Sequence, residues 1–239
     1  GDVGFGKTEI ALRAAFIMSN NKLKTIVIVP TTLLANQHFK TFKSRFENYT
    51  GVEILSRNTK KNEKENILKK FKSSSTNILI CTHSIFSVDL KDFKLGLIVV
   101  DEEQHFGVLQ KEKIKKIKSN IHLLTLSATP IPRTLHMSLI GIRDLSLIKT
   151  PPVDRKNIIT RVCRFEKSII RKAISDEKIR NGQIFLIVPR IKDIIDIIKN
   201  LKIIYPNLKY QIAHGKLKPN EIESAMTQFY NGEVDLLIS

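Results

Sequence analysis

The chain begins GDVGFGKT. Its spacing of Gly1, four residues, then Gly6, Lys7 and Thr8 is that of a loop whose backbone N–H groups wrap a polyphosphate. In such a loop the lysine neutralises phosphate charge and the hydroxyl residue holds Mg2+. Gly1, Asp2, Val3, Gly4, Phe5, Gly6, Lys7 and Thr8 are therefore the candidate nucleotide ligands. A second feature can work with the loop. The run LIVVDEEQ delivers Asp101 and Glu102 at the end of an apolar strand, the place where parallel α/β sheets bind ligands. Mg2+ needs a hard oxygen ligand beside the phosphates, and hydrolysis needs a group that orients or deprotonates water. Asp101, with Thr8, is assigned to the metal and Glu102 to the water, with Lys7 as the third catalytic group. An acidic pair at a strand end is otherwise an ordinary helix cap or solvated turn, and it is the phosphate loop that favours the chemical reading.

These groups need a sheet to hold them. After the loop, TEIALRAAFIM has helical spacing of apolar residues, and TIVIV (Thr25 to Val29) reads as a buried strand ended by Pro30. A helix through LLANQHFKTFKSRF, a strand VEIL, a helix KNEKENILKKFK and the strands NILIC, LGLIVV and IHLLTL follow. Alternation of short apolar runs with helical segments is the sequence form of repeated βαβ units and a parallel sheet. Two prolines in TPPVDRK break the rhythm. The expected division is thus a first lobe over 1–149, a linker over 150–156 and a second lobe over 157–239. In the second lobe the predicted strands are IITRVC (158–163), QIFLIV, KYQIA and VDLLI, with helices from Glu166 to Arg180, through Leu201 and through Phe229 between them. A phosphate loop normally follows a buried strand. The expected fold is therefore α/β with parallel sheets in two lobes of one alternating plan, the first without its N-terminal strand and the second stopping short at its C-terminus.

Composition narrows the partners. At 239 residues, with 42% hydrophobic and 26% charged residues, the chain can bury a sizeable core and does not read as disordered. A formal charge of +17 points to a polyanion, since clustered Lys and Arg gain affinity for phosphates by releasing counterions. Lysine is abundant throughout, however, so part of that charge is compositional. Cys81 and Cys163 are far apart and lack C-x-x-C spacing, which argues for a reduced compartment and no zinc site. The apolar runs are strand-length, well below the roughly 20 residues that span a bilayer, and there is no signal-peptide pattern. A cytoplasmic location and no membrane partner are expected.

Several further segments fall on the same predicted sheet edge. PTTLLANQH and THS follow strands and offer Thr31, Thr32, Gln37, Thr82, His83 and Ser84 as contacts to a phosphate backbone. Helix capping accounts equally well for Thr31, Thr32 and Ser84 taken singly. The loop SATPIPRT, Ser127 to Thr134, lies beside the acidic strand, where it can sense a terminal phosphate. Two lysine-rich stretches, RNTKKNEKENILKKFK and KEKIKKIK, can track phosphates, but a solvated helix face explains them as well.

Taken together, GDVGFGKTEIALRAAF, PTTLLANQH, DEEQHFGV, LSATPIPRTLHMSLIGIRDLSLI and TPPVDRK resemble the motor module of the bacterial transcription-repair coupling factors, which are superfamily 2 ATPases. The resemblance covers essentially the whole chain. It implies two RecA-like lobes with ATP and Mg2+ between them, movement along double-stranded DNA, and displacement of stalled RNA polymerase before excision-repair proteins are recruited through regions outside this chain. It also implies that Gln104 with Ser127, Ala128 and Thr129 couples hydrolysis to lobe movement, and that Pro189, Arg190, His214 and Gly215 face DNA. His105 stands where relatives more often carry Arg and receives no role. RecG-type fork-remodelling helicases share the P-loop and SATPIPRT signatures and form the alternative. A non-catalytic nucleic-acid-binding P-loop module is the alternative of another class. Missing flanking motifs, an arginine finger among them, imply that the isolated chain binds nucleotide weakly and hydrolyses it little.

Overall fold

A computed structural model describes residues 1–57, 59–73, 75–116, 121–129, 144–153 and 158–239. The chain divides into two units, Gly1–Asn157 and Ile158–Ser239. In the first, α1 (Lys7–Asn20) leads into β1 (Lys24–Ile28), α2 (Thr32–Phe46), β2 (Gly51–Leu55), α3 (Lys61–Lys72) and β3 (Thr76–Cys81). A short 3-10 turn at His83–Ser87 precedes β4 (Leu95–Asp101), another at Glu103–His105 follows it, and then come α4 (Val108–Lys116) and β5 (His122–Leu126).

The five strands form one parallel sheet in the order β2-β3-β1-β4-β5. β1, β3 and β4 occupy its middle and are covered on both faces, so their sequences are nearly unbroken runs of Ile, Leu and Val. β2 and β5 sit at the edges and are only partly buried. Alternation along β1 sends Val27 and Val29 to the face covered by α1 and α2, where Ala11, Leu12, Ala15, Ala35, Phe42 and Phe46 meet them. Ile26 and Ile28 point to the opposite face, against Ile67 and Phe71 of α3 and Ile85, Phe106 and Ile114. Lys24, buried at the start of β1, donates to the carbonyls of Ser73 (2.6 Å) and Thr76 (2.8 Å) and so ties the end of α3 to the sheet. Burial depresses its pKa. Cys81 is fully buried and its thiol is pushed up far above the usual range by desolvation, which removes it as a nucleophile.

In the second unit, α5 (Lys167–Ile179), β6 (Ile184–Leu186), α6 (Ile194–Ile204), β7 (Tyr210–Ile212), α7 (Pro219–Tyr230) and β8 (Leu236–Ile238) form a parallel sheet of order β6-β8-β7. Central β8 is buried throughout, with Leu236 and Ile238 facing Ile174, Ile194 and Leu201 and Leu237 facing Ala225 and Phe229. The expected strand over 158–163 is absent. Ile158, Ile159 and Val162 are exposed, and among the described residues that run has no ladder to join. β-branched residues become a strand only where a neighbour and a buried face are supplied, so sequence preference alone misassigns this segment. Among the described residues no helix is long and apolar enough to cross a membrane.

Candidate nucleotide site

The topology fixes where the phosphate loop sits. α1 ends at Asn20 and turns into the start of β1 at Lys24, so its first turn lies at the opposite edge, where the parallel strands finish. Gly6 caps the helix in the left-handed region (φ 84°, ψ 21°) and no side chain occupies the cap, which leaves first-turn N–H groups for an anion. A Cβ at Gly6 would be strained there, although nothing within 4 Å crowds the space beside it. Gly1 is required for a different reason: a Cβ would come within 2.9 Å of Ile148 Cβ and 3.2 Å of its carbonyl oxygen. The segment after the SATPIPRT run thereby holds the start of the loop. Within the loop, Phe5 N–H donates to Asp2 O (3.2 Å) and Val3 N–H to Asp2 Oδ1 (2.7 Å). Lys7 Nζ donates to Gly1 O at 2.8 Å and Asp2 O at 2.9 Å, which anchors the ammonium over the loop and leaves its third N–H for a phosphate.

The acidic pair stands at the same edge. Asp101 ends β4 opposite Leu126 of β5, and β1 ends beside both β3 and β4, with Ile28 level with Cys81 and Val100. Asp101 is buried, and both of its carboxylate oxygens are engaged. Oδ1 accepts the Glu102 N–H (3.0 Å) and Oδ2 meets His38 Nε2 of α2 at 2.8 Å. Glu102 adopts the left-handed conformation (φ 53°, ψ 49°), uncommon for a non-glycine residue. From that turn its Oε2 accepts a short hydrogen bond from Gln104 Nε2. Gln104 Oε1 in turn accepts from Ser127 Oγ at 3.0 Å, and Ser127 Oγ accepts the Thr129 N–H at 3.1 Å. A continuous polar relay thus runs from Glu102 through Gln104 to the loop after β5, where Ala128 sits between the two hydroxyl residues. Pro130 to Thr134, the remainder of SATPIPRT, lies outside the described residues.

This donor set fits Mg2+ with a nucleotide. Among the described residues no group of three His, Cys, Asp or Glu side chains could hold a metal alone. Mg2+ characteristically takes one or two protein carboxylates or hydroxyls and completes its shell with phosphates and water. Asp101 and Thr8 carry hard oxygens of that kind, and nothing stands within 4 Å of where a Cβ on Gly6 would lie.

Other expected contacts divide. Thr31 caps α2, its Oγ1 accepting Leu34 N–H at 3.2 Å, and is exposed; Thr32 opens the helix and Gln37 is half-buried one turn on. Thr82 departs from expectation. It is 1% exposed, its hydroxyl lies 3.3 Å from that of Ser84, and Ser84 donates to Leu55 O at 3.2 Å. These hydroxyls close the ends of β2 and β3 from within, so Thr82 presents none to a phosphate backbone, while His83 between them is exposed. In the second unit Arg190 follows β6 and His214 and Gly215 follow β7, which places them at the C-terminal edge of that sheet. Arg190 and Gly215 are exposed, whereas His214 Nδ1 is buried without a partner among the described residues. Of the lysine-rich α3, Lys64 donates to Ser87 Oγ, Lys70 to Glu53 and Lys72 to Asp92. The contact of His38 with Asp101 is one that spacing did not reveal, since 63 residues separate the two.

Known proteins resemble this chain over its whole length. The chain is 48% identical over 244 residues to the transcription-repair-coupling factor of Rickettsia bellii and 45% identical over 240 residues to that of Bacillus subtilis. All of this chain is covered in both alignments, and it spans about a fifth of their length, 22% and 20%. Among solved structures, that of RecG bound to a three-way DNA junction matches with a TM-score of 0.76 and 30% identity, over 100% of this chain and 32% of that one. The DEAD/DEAH box helicase family model matches residues 1–138, the span that carries the phosphate loop, the acidic strand end and the Ser127 relay, and the chain belongs to that family.

Proposed function

We propose that this chain is the ATP-hydrolysing motor of a double-stranded DNA translocase that acts in transcription-coupled repair. The observation that carries the reading is the joining of Asp101, Glu102, Gln104 and Ser127 at the strand edge that also holds the phosphate loop. Backbone N–H groups of the loop and α1, with Lys7, bind the phosphates. Thr8 and Asp101 hold Mg2+, which when bound neutralises charge on the β- and γ-phosphates. Glu102 orients the attacking water and accepts its proton. Gln104 keeps the Glu102 carboxylate in register with Ser127, so a change in occupancy at the terminal phosphate is felt in the loop after β5. Ser127, Ala128 and Thr129 couple that change to movement on DNA, which Thr31, Thr32 and Gln37 engage in the first unit and Arg190, His214 and Gly215 engage in the second. The higher identity to coupling factors, 48% against 30% for RecG, favours stalled RNA polymerase over a replication fork as the target of the whole protein.

Nucleotide binding by the chain tests the site. Lys7→Ala is expected to weaken ATP affinity at least tenfold, while Glu102→Gln keeps affinity within a few fold and removes whatever hydrolysis the wild type shows, by 10²-fold or more. Unchanged ATP affinity in Lys7→Ala defeats the assignment. In the whole protein, release of polymerase from a stalled transcript, rather than regression of a model fork, separates the two relatives.

A further inference from the structure

We infer that His38 is a positioning residue for the metal carboxylate: its Nε2–H fixes the Asp101 side chain for Mg2+, an inference that rests on the reading of Asp101 as the Mg2+ ligand. The imidazole and carboxylate are both nearly closed to solvent, with side chains 7% and 11% exposed, and meet at 2.8 Å. An imidazole facing a carboxylate oxygen at that distance donates from Nε2. The opposite nitrogen, Nδ1, is buried and finds no partner among the described residues. A buried polar atom left unsatisfied costs about 1–3 kcal/mol, so packing alone would favour an aliphatic or aromatic side chain beside Phe42. The ring is retained in spite of that cost, and the group it touches is Asp101.

The carboxylate is held at both ends. Glu102 N–H occupies one lone pair of Oδ1 and His38 one of Oδ2, so the plane of the group is set and one lone pair remains on each oxygen. Ligating carboxylates tuned by such outer hydrogen bonds typically lose 10–100-fold in metal affinity when the partner is removed. Because His38 lies two turns into α2, on the helix capped by Thr31, the bond also ties the element that starts at the proposed DNA-facing loop to the metal carboxylate.

The test uses a fluorescent, non-hydrolysable ATP analogue bound to the full chain, with Mg2+ titrated from none. In EDTA, wild type, His38→Leu and His38→Gln should bind the analogue equally, since Lys7 and the loop N–H groups are untouched. The half-saturating Mg2+ concentration should rise 10–100-fold in His38→Leu. Gln carries an N–H at comparable reach and should return it to within a few fold of wild type; where Leu lowers the EDTA affinity, His38→Asn, too short to reach, replaces it in the comparison. A Leu or Asn variant with the wild-type Mg2+ requirement overturns the inference, as does a Gln variant no better than Leu. A wild type indifferent to Mg2+ overturns the reading of Asp101 itself, a failure distinct from a variant that matches wild type.

Discussion

One residue beyond Thr8, Glu9 shows how the loop is supported from outside the nucleotide chemistry. Its Oε1 accepts from Arg13 Nε on the same helix (3.0 Å), and Arg45 Nη2, near the end of α2, lies 2.9 and 3.2 Å from its two oxygens. The Arg13 hydrogen bond first, and the Arg45 charge after it, hold the carboxyl below its ordinary pKa although desolvation opposes them. A carboxyl with a folded-state value below its unfolded one adds stability above the unfolded value, near pH 4.3, and loses it as pH falls toward the folded one. The difference in unfolding free energy between wild type and Glu9→Gln should therefore be constant above about pH 5 and shrink below it. Equal differences at about pH 6 and pH 3 would show that the pairs contribute nothing. At this scale the sequence is legible where chemistry is local. Gly1 to Thr8 is contiguous, and Asp101, Glu102 and Gln104 lie within four positions, so spacing identifies them. Glu9 with Arg45 and His38 with Asp101 meet only because α1, α2 and β4 pack together, and no periodicity records that.

Among elements, α2 carries the most consequences, because one helix supplies the cap at Thr31, the hydrogen-bond partner of Asp101 at His38 and a wall of the core at Phe42 and Phe46. Phe42 is fully buried, stacked on Phe46 with ring centroids 6.0 Å apart and tilted to His38 at 6.1 Å. Removing that ring takes away apolar burial and leaves a cavity, so Phe42→Ala should destabilise the unit by about 3–5 kcal/mol. Denaturant unfolding should show a lower midpoint with the slope unchanged. Loosening of His38 should accompany it, read as a higher Mg2+ requirement in the same variant. An unchanged midpoint would mean that the first unit's core does not depend on this helix. The central strands were legible because burial on both faces demands unbroken Ile, Leu and Val, and α2 because its apolar residues recur at helical spacing. Ile158 to Cys163 is also rich in β-branched residues, though Arg161 interrupts it, and it forms no strand. Strand formation depends on a partner ladder, a property of the assembled sheet rather than of the run itself.

For the molecule as a whole, the surplus of 40 Lys and Arg over 23 Asp and Glu poses the question of which charges meet DNA. The lysines of α3 are poor candidates. Ile67 and Phe71 anchor the helix to the sheet, Lys70 and Lys72 pair with Glu53 and Asp92, and the Glu53 carboxylate holds the Lys70 ammonium above its ordinary pKa. Lysines in the last turn also complement the negative end of the helix dipole, a reason for their placement that involves no partner. Thr31, Thr32 and His83 in the first unit, and Arg190 in the second, instead follow strand ends, each at the edge of its own sheet where parallel α/β sheets present ligands. The logarithm of DNA affinity against that of salt separates the two groups, since each phosphate contact adds about −0.9 to the slope. Reversing Lys70 and Lys72 to Glu should lower affinity modestly through the overall field and leave the slope within about half a unit of wild type. Arg190→Ala should flatten the slope by about one unit. A slope that falls by about two on α3 reversal and stays constant in Arg190→Ala would move the DNA from the strand ends to the α3 face. Within the first unit, binding on the α3 face would also leave Thr31 without DNA, and α2 with no route by which DNA could act on Asp101 as the proposed Mg2+ ligand.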